Sequence, residues 1–277
     1  MTILLRPAVV IPAHNESSVI GQNLRRLTLG VIPGEFDLVV ACNGCTDDTV
    51  EKARQAAPWA TVLDLPDPGK SAAIVQAERY LGPGPRIYLD ADVEVNADAL
   101  RGVFAALMAG SPGARPSTRF DTEGANFFVR RFFAARARIP HLNDDLSGGG
   151  CYGLSWDARA RFDQFPDVIA DDLFAARIVG SEAVIVRNSE ATVRTPRRVR
   201  ALVHVLARSK TGNRQLYGRF PDLGAPTTTA TMKSLVQASL HPVGLFDAAI
   251  YAGFVAAGRV RAHRSTARWE RDESSRV

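Results

Sequence analysis

Short apolar segments alternate with helical segments along the first half of the chain, and this alternation constrains the fold more than any other feature. Residues 8–13 (AVVIPA), 37–41 (DLVVA), 61–65 (TVLDL) and 86–90 (RIYLD) have the composition of strands, and each is followed by apolar residues at helical spacing. Repeated β–α units with almost continuously apolar strands favour a parallel sheet covered by helices on both faces. We therefore predict an α/β fold with a mostly parallel sheet flanked by helices.

Two polar residues are predicted to begin the first two helices. Asn15 precedes a stretch in which Val19, Leu24 and Leu27 recur near helical spacing, so we expect its side chain to form the N-cap. Thr46 is expected to do the same for the next helix, whose first turn contains acidic residues that the helix dipole favours.

The second half of the chain is less regular. Residues 125–139 have a helical pattern, and from Arg197 onward the chain is mostly helical and strongly basic. Residues 223–231 have the composition of a linker. We therefore predict one domain over residues 1–222 and a helical C-terminal extension over residues 223–277.

Polar and small residues follow all four predicted strands, in the segments PAHNE, ACNGCTDD, LPDPGK and LDADV. The carboxyl ends of parallel strands meet at one edge of a sheet, and ligands bind in the crevice outside that edge. We therefore expect a polar binding site there.

Asp90 and Asp92 stand at positions i and i+2 at the end of the fourth predicted strand, where strand geometry would point both side chains to one side. Two carboxylates in this arrangement suit a hard divalent ion that takes its other ligands from water and phosphate oxygens. The alternative is a strand-to-helix turn in which one aspartate caps the helix that starts near Asn96.

Two further segments carry charges at the start of a predicted helix. Lys70 follows Gly69, and a glycine, a helix N-terminus and an ammonium group together favour phosphate; the alternative is a lysine that points into solvent. Asp171 and Asp172 begin another helix, whose dipole favours acidic residues. Alternatively, one of the two is a general base that takes a proton from an acceptor hydroxyl.

Taken together, these segments resemble the inverting glycosyltransferases of the GT-A fold in sequence family 2. VVIPAHNE resembles the family's first strand and turn, and VVACNGCTDDT resembles its second strand with the turn that receives the nucleotide. GKSAAI resembles the segment near the diphosphate, YLDADV the metal-binding D-x-D motif, and ADDLFAARI the acceptor motif Glu-Asp-x-x-x-x-x-Arg. The order and spacing of the five segments also agree, over roughly residues 8–180.

The resemblance implies a role for individual residues of this sequence. On the donor side it places Pro12, Ala13, Asn15 and Glu16 at the border of the nucleotide, Asn43 beside its base or ribose, Lys70 near its diphosphate, and Asp90 near its ribose and diphosphate. It implies a Mg²⁺ or Mn²⁺ ion on the diphosphate, bound by Asp92 with Asp90 beside it. On the acceptor side it makes Asp172 the catalytic base, supported by Asp171 and oriented by Arg177, with Gly149 and Gly150 by the acceptor or donor sugar.

The sequence departs from the family at three points. Cys42 stands where an aspartate often contacts uracil, and Asp171 replaces the more usual glutamate. The Gln-x-x-Arg-Trp motif of processive synthases is absent after Arg197, although Lys210 and Arg214 lie roughly where it would be. The resemblance therefore implies transfer of a single sugar to a hydroxyl of a sugar, a lipid-linked acceptor or a small molecule. By family frequency the donor is a UDP-sugar, and because of Cys42 the alternatives are GDP- and dTDP-sugars.

Three other functions fit parts of the sequence. A sugar-nucleotide pyrophosphorylase would need a Gly-rich, Arg-containing N-terminal loop, where this chain has PAHNESS. A non-catalytic nucleotide-binding or scaffold protein would be expected to lose the acidic residues of the site, but Asp90, Asp92 and Asp172 are all present. A nucleic-acid binder would suit the net charge of +5, but the chain has no zinc motif and no aromatic-basic RNA signature. We therefore predict an enzyme that does not bind nucleic acid.

The C-terminal segment and the cysteines bear on location. Three cysteines do not make a disulfide framework, and with no apparent leader or membrane span the chain is expected to be cytoplasmic. Residues 243–264 form an apolar segment with a basic end, and we expect it to pack on the catalytic domain or on a second subunit in a homodimer. The alternative is a helix that lies on anionic lipid at the inner face of the membrane.

Overall fold

The structure, a computed structural model, describes residues 5–224 and 242–264. Within these residues it contains a mixed sheet of eight strands. The strands are β1 Ala8–Ala13, β2 Asp37–Asn43, β3 Thr61–Leu65, β4 Arg86–Leu89, β5 Val93–Glu94, β6 Gly113–Asp121, β7 Cys151–Leu154 and β8 Val184–Arg194. They are ordered β3-β2-β1-β4-β7-β6-β8-β5 across the sheet.

The two halves of the sheet differ in strand direction. β1 pairs in parallel with both β2 and β4, and β2 pairs in parallel with β3. β7 is antiparallel to β4 and β6, and β5 is antiparallel to β8. The predicted α/β sheet is confirmed, and its parallel part comes from the four strands that the apolar segments predict.

Ten α-helices accompany the strands within the described ranges. They are α1 Ile20–Thr28, α2 Thr49–Ala56, α3 Lys70–Glu78, α4 Ala97–Met108, α5 Phe127–Ala137, α6 Pro140–Asp144, α7 Trp156–Arg159, α8 Asp171–Val179, α9 Val199–Arg219 and α10 Pro242–Arg264, with short 3₁₀ helices at Gly180–Glu182 and Pro221–Leu223. None of these helices is long and apolar enough to cross a membrane. Residues 225–241, which include most of the predicted linker at 223–231, and residues 265–277, the end of the predicted C-terminal extension, lie outside the described residues.

The two predicted N-caps are wrong. α1 begins at Ile20 and α2 at Thr49, several residues after Asn15 and Thr46. Asn15 has a left-handed backbone (φ 52°), and its Oδ1 accepts a hydrogen bond from the Thr46 backbone N–H at 2.7 Å. The two residues therefore join one loop to the next instead of starting helices, because short polar side chains bind nearby backbone groups as readily in loops as at helix ends.

The chain forms two compact units. The first contains the residues up to Arg119 together with Leu146–Asp167 and Asp171–Val193, and the second contains Phe120–Asp145, Val168–Ala170 and the residues from Arg194 onward. The core of the first unit surrounds the sheet, with buried side chains from β1, β2, β4 and α4 such as Val9, Val40, Ile87 and Leu100. The boundary predicted at residues 222/223 stays a prediction.

The second unit is helical. α5, α9 and α10 share a core in which the rings of Phe132 and Tyr251 stack with centroids 4.9 Å apart, beside Leu202. Asp247 of α10 has a side chain that is only 1% exposed, and it forms ion pairs with Arg131 and Arg138 of α5. These ion pairs offset the cost of burying a carboxylate between the two helices.

A second buried carboxylate lies in the first unit. Glu78, the last residue of α3, accepts hydrogen bonds from Arg86 at 2.7 Å, from the Tyr88 hydroxyl at 2.6 Å, and from both Nε and Nη2 of Arg159 at 2.7 and 2.6 Å. Burial alone would raise the pKa of Glu78, but the hydrogen bonds and charges of Arg159, Tyr88 and Arg86 outweigh burial and hold the pKa below its ordinary value. Glu78 therefore connects α3, β4 and α7.

Replacing Glu78 by alanine is expected to lower the free energy of unfolding by about 3–5 kcal/mol, because two arginines would be left buried without their counter-charge. The depressed pKa means that Glu78 stabilises the native state fully above its unfolded pKa of about 4.3 and less as the pH falls through its native pKa. Urea unfolding between about pH 3 and pH 7, a range that includes the unfolded pKa of Glu78, measures both effects. Glu190→Ala, which removes an exposed pair with Arg119, is the control and should cost less than about 1 kcal/mol. Equal losses in the two variants would contradict a structural role for Glu78.

Candidate active site

The loops that follow β1, β2, β3 and β4 all lie at the carboxyl edge of the parallel part of the sheet. β7 is antiparallel to β4 and pairs Cys151 with Leu89, so the glycines that precede β7 reach the same edge. The polar site expected from the sequence is therefore formed by five segments. Four are the loops after β1 to β4, and the fifth is the Gly148–Gly150 segment that precedes the antiparallel strand β7.

Asn43 holds three of these loops together. Its side chain is buried, its Nδ2 donates to the carbonyl oxygen of Ala13 at 2.9 Å, and its Oδ1 accepts from the backbone N–H of Gly69 at 2.9 Å. Gly44 follows with φ 56°, and a Cβ at this position would lie 2.8 Å from the backbone nitrogen of Pro68. The Asn43 amide is thus used within the protein, and its predicted place beside a base or ribose stays a prediction.

The end of β1 is built in the same way. Pro12 and Ala13 are buried at the end of the strand. The backbone N–H of Glu16 donates to Thr49 Oγ1 at 2.7 Å, which connects this loop to the start of α2. Asn15, whose side chain is hydrogen-bonded to Thr46, lies between Ala13 and Glu16 in this loop. The predicted contacts of these four residues with a nucleotide stay predictions.

Cys42 does not face the site. Its side chain is fully buried in the core of the first unit, so a thiol at this position cannot contact a base as a solvent-facing aspartate would. Cys45 lies closer to the loops, where its Sγ accepts a hydrogen bond from the backbone N–H of Asn15 at 3.4 Å. A hydrogen bond from the Cys42 thiol lowers the pKa of Cys45 to about 6.

Lys70 joins the donor side of the predicted site to its acceptor side. Its Nζ lies 2.7 Å from Oδ1 of Asp90 and 2.8 Å from Oδ1 of Asp171. Burial alone would lower the pKa of this lysine, but the negative charges of Asp171, Asp90 and Asp172 outweigh burial and raise it. The alternative of a lysine that points into solvent is therefore wrong, since the side chain is 26% exposed and paired with two carboxylates.

Each carboxylate at the start of α8 is held by a different group. Asp171 is 1% exposed, and in addition to Lys70 its Oδ2 accepts a hydrogen bond from the Tyr152 hydroxyl at 2.8 Å. Oδ2 of the half-buried Asp172 accepts from the backbone N–H of Gly148 at 2.7 Å. Burial and the charge of Asp171 raise the pKa of Asp172, while Lys70 opposes this shift. A carboxylate with a raised pKa is a stronger base, as proton abstraction requires.

Asp90 and Asp92 lie in a turn and not in a strand. The Asp90 carbonyl accepts from the backbone N–H of Val93 at 3.0 Å, so the chain reverses over residues 90–93 before β5. The backbone N–H of Asp90 donates to the carbonyl of Gly150 at 2.7 Å. The expectation that strand geometry aligns the two carboxylates is therefore wrong, and the turn together with the glycine segment positions Asp90.

The glycines beside Asp90 permit this close packing. Gly150 has φ 64°, and a Cβ there would lie 2.6 Å from Val93 and 3.0 Å from Oδ2 of Asp90. A Cβ on Gly149 would lie 2.5 Å from Oγ1 of Thr118. Both positions require glycine on steric grounds, and their predicted contact with a sugar stays a prediction.

The carboxylates suit a metal ion that is shared with a substrate. Among residues 5–224 and 242–264, no three His, Cys, Asp or Glu side chains converge in the manner of a complete metal cage. Asp90 and Asp92 offer two carboxylates in one turn, and Mg²⁺ is usually held by one or two carboxylates, with waters and substrate phosphates as the remaining ligands. The donor set therefore fits Mg²⁺ or Mn²⁺ bound together with a diphosphate.

The structure brings together Lys70, Asp90, Asp171 and Asp172, and it adds two groups that sequence reasoning missed. These are the Tyr152 hydroxyl and the Gly148 backbone N–H, and neither belongs to a motif. Arg177 lies in the last turn of α8, at the opposite end of the helix from the two aspartates. Its predicted role in orienting them stays a prediction.

The chain matches a known protein family. The model of the family described as Glycosyl transferase family 2 matches residues 8–149. No curated protein matches the chain significantly.

Solved structures share the fold at low sequence identity. A mannosyltransferase from Pyrobaculum calidifontis, in complex with GDP-Man and Mn²⁺, is 20% identical with a TM-score of 0.64, and the match covers 94% of this chain and 76% of that one. Glucosyl-3-phosphoglycerate synthase from Mycobacterium tuberculosis, in complex with Mn²⁺, UDP and glucosyl-3-phosphoglycerate, is 20% identical with a TM-score of 0.55, over 81% of this chain and 82% of that one. The same synthase with Mg²⁺ and UDP is 22% identical with a TM-score of 0.55, over 81% of each chain.

These likenesses show the GT-A fold, and the family match extends over half of the chain, from β1 to Gly149 in the glycine segment before β7. The chain therefore belongs to glycosyl transferase family 2 and is a glycosyltransferase.

Proposed function

We propose that this protein is a metal-dependent inverting glycosyltransferase that moves one sugar from a nucleoside diphosphate sugar to an acceptor hydroxyl. UDP-sugars are the first donors to test, followed by GDP-sugars, because the structural neighbours bind UDP, UDP-Glc or GDP-Man. The acceptor belongs to a broad class, since hydroxyls of sugars, lipid-linked molecules and small molecules all fit the chemistry.

One observation carries the proposal. Lys70 forms ion pairs with Asp90 and with Asp171, so a single cation links the carboxylate expected beside the diphosphate to the carboxylates expected beside the acceptor. In an inverting transferase the leaving diphosphate and the attacking hydroxyl must lie on opposite sides of the same carbon. A site that joins both sides through one side chain matches this requirement.

On the donor side, Asp92 and Asp90 would hold Mg²⁺ or Mn²⁺ against the diphosphate, with Lys70 nearby as a further positive charge. The ion would neutralise the charge that develops on the departing nucleoside diphosphate. Lys70 adds to this neutralisation at the helix N-terminus, where backbone N–H groups also favour anions.

On the acceptor side, Asp172 would accept the proton of the acceptor hydroxyl as the oxygen bonds to the anomeric carbon. The bond from that carbon to the diphosphate oxygen breaks in the same displacement, so the configuration inverts. Asp171 pairs with Lys70 and accepts from the Tyr152 hydroxyl, and burial together with the charge of Asp171 raises the pKa of Asp172. The Gly148 N–H fixes the direction of the Asp172 carboxylate.

Proton NMR of the first sugar released tests the reaction class without knowledge of the acceptor. With water as the slow acceptor, UDP-α-glucose or GDP-α-mannose with Mn²⁺ should release the β-sugar before mutarotation, and Asp172→Asn should release neither sugar. Release of the α-sugar first would contradict inversion. Absence of donor cleavage above the Asp172→Asn background, for every UDP-, GDP- and dTDP-sugar, would contradict the proposal as a whole.

A further inference from the structure

The second unit has an open apolar groove. It runs between α5, α9 and α10 and is lined by Phe128 of α5, Val199 and Val203 of α9, and Ile250 and Phe254 of α10. Its volume is about 390 Å³. Almost all of its lining is apolar, unlike the polar loops of the candidate active site.

Exposed apolar residues extend the groove on one side. The ring of Phe127, which is 50% exposed, lies 5.6 Å from that of Phe128 in the lining and 6.1 Å from that of Phe246. Phe246 and its sequence neighbour Leu245 are 49% and 60% exposed. Residues 248–258 of α10 contain no charged side chain. Clustered exposed aromatic and aliphatic residues of this kind mark an interaction surface, whereas single exposed residues need no explanation.

Positive charges accompany this surface. The described residues of the second unit contain fifteen Lys or Arg and six Asp or Glu, although the whole chain carries a net charge of only +5. Exposed Arg198 and Arg200 flank Val199 in sequence. Arg261, one turn beyond Ala257 of the lining, lies 3.4 Å from Nδ1 of His204, the neighbour of Val203.

We infer that this groove and its arginines dock the protein on an anionic lipid surface. The partner must combine apolar chains, which fill the groove, with negative groups, which the arginines contact, and anionic phospholipids have this chemistry. A second copy in a two-fold dimer would bring like-charged surfaces together, which disfavours it. Nucleic acid would satisfy the arginines but would leave the apolar groove unfilled. The inference does not depend on the proposed chemistry.

Vesicle co-sedimentation of the full chain tests the inference. The vesicles are phosphatidylcholine with or without phosphatidylglycerol, at low salt and at about 1 M salt, where the Debye length is about 3 Å. We expect binding to the anionic vesicles only, weakened by salt. Two double variants, Phe128→Ser with Val199→Ser and Arg198→Glu with Arg200→Glu, should each lower the vesicle affinity by at least about tenfold. The first removes apolar side chains that enter the lipid, and the second removes basic residues that contact its negative groups.

Leu29→Ser and Arg79→Glu in the first unit are the controls, because both residues are exposed and lie outside the groove. Their vesicle binding should equal that of the unchanged chain. Circular dichroism of every variant establishes that the fold is retained.

Three results would overturn the inference. They are an unchanged chain that does not bind anionic vesicles at low salt, folded groove and arginine variants that bind as well as the unchanged chain, and a dimer in light scattering that the groove variants dissociate. Thermal shifts with UDP or GDP and Mn²⁺, measured on the same samples, separate this inference from the proposed function. For the unchanged chain, nucleotide binding without vesicle binding contradicts only the vesicle inference, and vesicle binding without nucleotide binding contradicts only the proposed function.

Discussion

Asp172→Asn is expected to abolish sugar transfer while leaving donor binding nearly unchanged. A positioned general base contributes about 100- to 10,000-fold to a rate, and the amide of asparagine cannot accept the proton of an acceptor hydroxyl. The fold should tolerate the change, because an asparagine Oδ1 can still accept the hydrogen bond that the Gly148 N–H donates to Asp172. Initial rates of nucleotide release, with calorimetric titration of the donor, measure the two effects separately.

The matched control for this variant is Asp98→Asn. Asp98 is also an acidic residue in the first turn of a helix, but it is 83% exposed and pairs with Arg101 outside the site. Its rate should equal that of the unchanged chain. A wild-type rate in Asp172→Asn would mean that another group accepts the proton.

The same assignment predicts how the rate depends on pH. A general base acts in its deprotonated form, so the rate should fall as the pH falls through the raised pKa of Asp172. The positive charge of Lys70 lowers that pKa. In Lys70→Met the pKa should therefore rise further, and the acidic limb of the rate profile should move to higher pH.

Asp92→Asn is expected to weaken metal-dependent donor binding by about 100-fold or more. Changing a residue that merely supports a metal ligand already costs about 10- to 100-fold in affinity, and Asp92 is proposed as a ligand itself. Titration of UDP and GDP with and without Mn²⁺ measures the loss, and donor binding without metal should not change. Asp67→Asn is the control, since this exposed carboxylate lies in the loop after β3 at the same edge. Equal Mn²⁺ dependence in Asp92→Asn and the unchanged chain would remove Asp92 from the metal site.

The parallel part of the fold follows from local pattern. β1 to β4 are short apolar segments, and the helices between them have apolar residues at helical spacing, so each element is specified by its own residues. β6 has the sequence GARPSTRFD, in which polar residues and a proline conceal a strand that pairs only with elements far away in the chain. Its place beside β7 depends on that packing and has no local signal.

In the candidate site, too, some features have a local sequence signal and others depend on packing between distant elements. Lys70, Asp90, Asp171 and Asp172 stand out as charged residues next to predicted strands or helices, and their segments resemble family motifs. The ion pair between Lys70 and Asp171 joins residues from α3 and α8, and no spacing in the sequence indicates it. In the sequence, Tyr152 looks like an ordinary strand residue. Only the packing of β7 against α8 brings its hydroxyl to Asp171.

The central claim is that the carboxyl edge of the sheet binds a nucleoside diphosphate together with a divalent ion. Thermal unfolding of the unchanged chain with UDP, GDP and dTDP, each with and without Mn²⁺, tests it most directly, because a ligand at 100 times its Kd stabilises the native state by about 2.7 kcal/mol. We predict that at least one nucleotide raises the Tm with Mn²⁺ present, and that neither component alone reproduces the shift. If no nucleotide raises the Tm in the presence of Mn²⁺, or if the shift is the same without the ion, the assignment of Asp90 and Asp92 is contradicted.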